Sequence, residues 1–203
     1  MAAEETNKMK SNDNSTVEKS VVLYLHDLVY LLAVIMVIFV LFFRLVIVSG
    51  SSMYSTLRDG DWLLVCGRVF YQEPRAGDII VASKGSFNFG EPIIKRVIAT
   101  EGQTVDIDFE AGVVYVDGDA LEEAYTFTPT NIQEGIIFPI QIAEDCIFVM
   151  GDNRNNSRDS RDPSIGMIDK RELLGRAIFL LFPGTGEKGN IGPREFDRIG
   201  AIK

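Results

Sequence analysis

One run of apolar residues, 28–48 with a single interruption at Arg44, constrains this chain of 203 residues more than any other feature. As a helix it would be about 30 Å long, which matches the hydrocarbon core of a bilayer. Arg44 stands where a long side chain can snorkel to the interface. The first 20 residues are rich in Asn, Ser, Lys and Glu, and residues 1–27 carry five acids against three lysines. They read as a solvated tail. A cleavable secretory signal competes with a retained anchor, because Val48-Ser49-Gly50 resembles a small-residue cleavage site. The length and acidity of the preceding tail favour the anchor. The expected layout is a cytoplasmic tail at 1–27, a transmembrane anchor at 28–48 and an extracytoplasmic domain at 49–203.

That last segment is long enough for one domain with a real core. It holds 16 Lys and Arg against 24 Asp and Glu, a net charge of −8. With no basic stripe to offset this, nucleic acid is excluded as a partner. Cys66 and Cys146 lie far apart in apolar stretches and read as two buried thiols, with a disulfide the alternative. One histidine and no close cysteine pair exclude a zinc site, and no motif calls for a cofactor. Short runs rich in Val, Ile, Leu and Phe occur at 62–66, 78–82, 93–99, 104–109, 113–116, 145–150 and 176–182, most of them separated by turn residues. Val105, Ile107 and Phe109 alternate with Asp106 and Asp108, the period of a half-exposed strand. Only 169–174 looks helical. Closely spaced strands without helices between them imply antiparallel pairing, hence a mainly β, barrel-like domain.

Three segments could carry chemistry. Gly50-Ser51-Ser52-Met53-Tyr54-Ser55 follows the apolar run; read alone, it is a linker. Lys95, in Ile93-Ile94-Lys95-Arg96-Val97, reads alone as a solvated edge-strand lysine. The stretch 151–161, Gly-Asp-Asn-Arg-Asn-Asn-Ser-Arg-Asp-Ser-Arg, has no apolar side chain. It fails as a calcium loop: Ser157 stands where the sixth-position glycine belongs, and Pro163 where the closing Glu belongs. A polar loop locked by Asp–Arg pairs fits better. The sole histidine, His26, lies at the far end of the apolar run, about 30 Å from Ser52 if that run is helical. A Ser-His-Asp triad is therefore untenable, and a nucleophilic Ser52 would need another base, for which lysine is the known alternative.

An apolar span, then Gly-x-Ser-Met-Tyr-x-Thr-Leu, then Gly77-Asp78-Ile79-Ile80-Val81, then Lys95-Arg96, then Gly151-Asp152-Asn153-Arg154 through Ser157 to Asp159-Ser160-Arg161, resembles the type I signal peptidases with one N-terminal anchor. The resemblance implies a membrane-bound serine endopeptidase that removes signal peptides from exported preproteins. Its partners would be those signal peptides, the lipid bilayer and the export machinery, and its catalytic domain would lie outside the cytoplasmic membrane. It further implies that Ser52 is the nucleophile and Lys95 the general base. Ser157 would orient the lysine by a hydrogen bond, while Asp159 and Arg161 form a structural pair. The oxyanion would be held by the Ser52 N–H and by a second donor at Gly50, which offers backbone only. The family's usual proline before Thr-Leu is Ser55 here, which loosens a turn without removing a chemical group. A catalytically weak assembly factor for surface structures is the alternative. Such proteins usually lack the serine or the lysine, and both are present. A free lysine titrates near ~10.4, so Lys95 would need burial among Ile93, Ile94, Val97 and Ile98 to work as a base. The segment 120–141 receives no assignment from sequence.

Overall fold

The computed structural model describes residues 2–85, 87, 90–186 and 193–202, with side chains from residue 20 onward. It divides into two units, Met1–Phe42 and Phe43–Lys203. The first is a single helix, α1 (Ala2–Phe42). Within it Ser20–Phe42 is 23 residues long with mean hydropathy 2.6, long and apolar enough to cross a membrane.

The helix does not run to Val48 as the apolar pattern predicts. The chain leaves it after Phe42, and Phe43–Ile47 forms β1, paired antiparallel with β2 (Trp62–Gly67) from Phe43↔Cys66 to Ile47↔Trp62. Hydropathy alone does not separate a helix end from an apolar strand. The β-branched pair Val46 and Ile47 favours the strand, and Val48 is buried in the domain core.

The second unit continues with β3 (Ile79–Ser83), β4 (Pro92–Thr100), β5 (Thr104–Asp108), β6 (Val113–Val116), β7 (Asp119–Ala120), β8 (Ile140–Gln141), β9 (Cys146–Met150), β10 (Ile168–Asp169), β11 (Leu173–Phe182) and β12 (Gly200–Ala201). The larger sheet has the order β1-β2-β11-β3-β4-β9-β10, with β12 beside β11; the smaller has the order β7-β6-β5-β8. Every strand pairing is antiparallel, as the spacing predicts. The helical stretch expected at 169–174 shrinks to one 3₁₀ turn, Lys170–Glu172, capped by Asp169, before Leu173 opens β11.

Both faces of the larger sheet are covered. Ile79 and Val81 of β3 pack with Leu63, Val65, Ala177 and Leu180, whereas Ile80 and Ala82 face Val97, Ile147, Val149 and Leu173. A third core lies under the smaller sheet, where Val105 and Ile107 point inward and Asp106 and Asp108 outward. Cys66 and Cys146 are free, half-buried thiols.

Candidate active site

Ser52 sits in the turn between β1 and β2. That turn is closed by Val48 N–H donating to the Asp61 carbonyl and Gly60 N–H donating to the Val48 carbonyl, each at 2.9 Å. Two apolar anchors follow the serine. Met53 and Leu57 are each 1% exposed and enter the core with Leu63 and Val65. The residue after the serine is thus pinned in the interior while Ser52 itself stays at its margin.

Lys95 lies on β4 opposite Ile80 of β3. Although β9 pairs with β4 only from Arg96 onward, the reading of this lysine as a solvated residue is overturned: it is 5% exposed. Its Nζ donates to Ser52 Oγ at 2.7 Å. Burial lowers the Lys95 pKa to about 8, because the charged form is desolvated; Asp159 and Glu134 pull the other way, and Arg161 assists the lowering. The amine therefore loses its proton near physiological pH while already in contact with the hydroxyl it would deprotonate.

The loop after β9 reaches this pair because β9 pairs with β4 from Thr100↔Ile147 to Arg96↔Met150, so Gly151 emerges beside Lys95. Gly151 cannot carry a side chain: a Cβ there would lie 2.5 Å from the Ser52 carbonyl oxygen and overlap Ser157. Asn153 N–H donates to the Ser52 carbonyl (3.0 Å), Asn153 Nδ2 to the Ser51 carbonyl (3.1 Å) and Asn156 Nδ2 to Ser51 Oγ (3.0 Å). The loop thus grips the backbone of the serine turn.

Buried ions hold the loop. Asp159 and Arg161 are both fully buried; Arg161 Nε donates to Oδ1 at 2.8 Å and Nη2 to Oδ2 at 2.9 Å. Arg161 also reaches the carbonyls of Arg154 (2.6 Å) and Ile132 (3.1 Å). Ser157 Oγ donates to Asp159 Oδ2 at 2.9 Å, and Gly151 N–H donates to the same oxygen at 2.9 Å. The resemblance implies a Ser157–Lys95 hydrogen bond; among the described residues the Ser157 hydroxyl is bonded to Asp159 instead. Gly50, at φ +94°, donates its N–H to Asp59 Oδ1 at 2.7 Å, so that N–H is engaged. The Ser52 N–H has no hydrogen-bond partner among the described residues.

Several supporting residues escape a reading by motif roles. Arg96, next to the lysine, makes a buried two-point contact with Asp152 (Nε–Oδ1 and Nη2–Oδ2, both 2.8 Å), and Thr56 Oγ1 donates to Asp152 Oδ2 at 2.5 Å. Arg154 pairs with Glu123 (Nη1–Oε2, 2.7 Å) and donates to Thr130 Oγ1 at 2.8 Å. The Tyr125 ring lies 4.0 Å from the Arg96 guanidinium. The segment between β7 and β8, which sequence left unassigned, thus packs on the loop 151–161. The adjacency of Lys95 and Arg96, and of Gly151 and Asp152, was the one available hint.

A cavity of about 570 Å³ opens beside the pair, lined by Val46, Val48, Met53, Ile93, Ile94 and Lys95, among others. No group of three or more His, Cys, Asp or Glu residues able to hold a metal ion occurs among the described residues.

A buried lysine in contact with a serine, held by a loop of buried ion pairs, restricts the families to which such a chain could belong. The family model for signal peptidase, peptidase S26, matches residues 21–182. The chain belongs to this family. It is 37% identical over 146 residues to the probable signal peptidase I-1 of Synechocystis, covering 68% of this chain and 70% of that protein. It is 31% identical over 189 residues to signal peptidase I T of Bacillus subtilis, covering 88% and 95% respectively. It is also 34% identical over 145 residues to signal peptidase I of Bacillus licheniformis, covering 68% and 75%. As a member of the S26 peptidases it is a serine endopeptidase, and its apolar N-terminal helix makes it a membrane-anchored one.

Proposed function

We propose that Ser52 is the nucleophile and Lys95 the general base with which this signal peptidase removes signal peptides from preproteins. The observation that carries the reading is the 2.7 Å contact between Lys95 Nζ and Ser52 Oγ, made by a lysine whose burial favours its neutral form. Neutral Lys95 takes the Ser52 proton as Oγ attacks the scissile carbonyl carbon. The same ammonium then protonates the leaving amine, and the C–N bond breaks to give an acyl-enzyme. Water, deprotonated by the again-neutral lysine, hydrolyses the ester. The free Ser52 N–H is the oxyanion donor in this reading; Gly50 could join only if its contact with Asp59 opened.

The substrate fits the groove by backbone pairing. Strand β9 covers β4 only from Arg96 onward, so among the described residues 92–95 has a strand neighbour on the β3 side alone. An extended peptide laid against this open edge would run through the cavity beside Ser52, its small side chains facing Val48, Met53 and Ile94. Ser52 follows the end of α1 by only ten residues, which suits a cleavage site just outside a bilayer.

The reading further has residues 1–27 in the cytoplasm, the span in the cytoplasmic membrane, and the β-domain outside it with the bilayer and export machinery as neighbours. Protease added to intact spheroplasts should then digest the β-domain and spare the tail; a protected β-domain would reverse the orientation. For the chemistry, the full chain in detergent should process a preprotein. Ser52→Ala and Lys95→Ala should each abolish cleavage, and the double variant should be no worse than either, since the two act as a unit. Cleavage by Ser52→Ala above a few per cent of wild type would overturn the assignment. Loss only with preproteins that form surface structures would instead favour the assembly-factor alternative.

A further inference from the structure

Glu134 belongs to no motif, yet it lies at the catalytic loop. Its segment is clamped there by two backbone contacts to one residue: Ile136 N–H donates to the Arg161 carbonyl (3.0 Å), and Arg161 Nη1 donates to the Ile132 carbonyl (3.1 Å). Between these clamps the Glu134 carboxyl turns inward. Its side chain is 16% exposed, and Oε1 lies 3.6 Å from Arg161 Nη2. Oε2 is buried without a hydrogen-bond partner among the described residues. Arg161 is already committed to Asp159 at two points. One guanidinium thus faces two carboxyls and satisfies only the first.

We propose that Glu134 is a positioning residue for the base: its charge, set beside Asp159 across Arg161, governs how readily Lys95 gives up its proton. This rests on Lys95 being the base. The groups that face Glu134 are Asp159, Arg161 and Asp162; those that act on Lys95 are Asp159, Glu134, Arg161 and Asp152. Asp159 and Glu134 both favour the protonated lysine. Asp159 is bonded to Arg161 at two points. Glu134 lacks such a contact, and burial, and then the neighbouring Asp159, push its pKa up to about 7. It therefore ionises in the same pH range in which Lys95 becomes neutral. As pH falls, Glu134 takes up a proton, its charge disappears, and the lysine is less easily protonated. The two titrations oppose each other, which spreads the loss of active base over a wider pH range than a lone lysine would show.

The test is kcat/KM against pH, from about 6 to about 10, for the full chain in detergent with a peptide spanning a signal-peptide cleavage site. The wild type should show a limb shallower than one proton. Glu134→Gln keeps the shape and removes the charge. Its limb should steepen to one proton and move to lower pH by roughly 0.5–1 unit, giving about two- to threefold faster cleavage near pH 7.5. The two curves should meet at the alkaline plateau and again at the acid end, where Glu134 is protonated. Glu134→Ala should move the limb in the same direction. A merely structural role would lower kcat/KM equally at every pH without moving the limb. A limb that is present in wild type and unmoved in both variants overturns the role of Glu134 and leaves the dyad standing. A wild-type profile with no limb overturns the dyad itself.

Discussion

The two halves of the proposed catalytic site are held by opposite physics. Lys95 is fixed by apolar burial: Ile80 of β3 across the ladder, and cores on both faces of the sheet. The loop 151–161 is fixed by charge, through Asp159 with Arg161, Asp152 with Arg96 and Arg154 with Glu123, each pair nearly or fully excluded from solvent. An apolar environment is forgiving, because neighbours of similar shape supply the same desolvation. A buried ion pair is not, since removing one partner strands the other's charge. The division suits the chemistry. The base needs an environment that penalises its charge, whereas the loop must fix a set of donors and acceptors around the serine turn.

The comparison is most open to breakage at Asp159. Asp159→Ala leaves Arg161 buried and unpaired and frees Ser157 and Gly151 from their shared acceptor, so it should cost about 3–5 kcal/mol in urea unfolding and nearly all activity. Wild-type melting in this variant would dissolve the distinction between the two regions.

The opposite sign is expected at Lys95. Its pKa is depressed from 10.5 unfolded to about 8 folded, so between those values the unfolded state binds more protons and stability rises with pH. Below about 8 the penalty is full, on the order of 3 kcal/mol. Lys95→Met should be inactive yet more stable than wild type by up to that amount at pH 7, with the gain fading toward pH 10.5. A Lys95→Met variant less stable than wild type at pH 7 would show that the lysine is not held against its charge.

Smaller effects sharpen the contrast. Ser157→Ala removes one donor from the Asp159 carboxylate and should cost about 2 kcal/mol, with reduced turnover. Ile80→Val, a loss of one methylene beside the base, should cost roughly 1 kcal/mol and leave the acid limb of the rate profile where it was. A shift of that limb in Ile80→Val would mean the base is tuned by exact packing rather than by burial as such.

Much of this architecture is legible in the sequence, and the gaps have physical causes. β5, whose apolar and acidic residues alternate, falls where expected because one face of it is buried; β6 does so as a short apolar run between turn residues. Ser52 and Lys95 each lie in a short motif, and the fold brings the two side chains to 2.7 Å. The end of α1 at Phe42 is not legible, since the apolar pattern runs on into β1 with only Arg44 interrupting it, and pairing with β2 is what separates them. Nor are the partners of Arg154 and Arg161 from 121–139, because that segment lacks any periodicity and contacts the loop through tertiary folding alone. Glu134 is invisible for the same reason. A lone glutamate in a polar stretch looks solvated until the fold turns it inward.

The central claim, that a buried neutral lysine activates Ser52, is tested most directly by the wild-type dependence of kcat/KM on pH. The rate should rise with pH through about 8 to an alkaline plateau, the direction set by a base that works only when unprotonated. The sole histidine lies in α1, so no imidazole in the β-domain can produce that limb. A rate constant between about pH 6 and pH 10 would contradict Lys95 as the base.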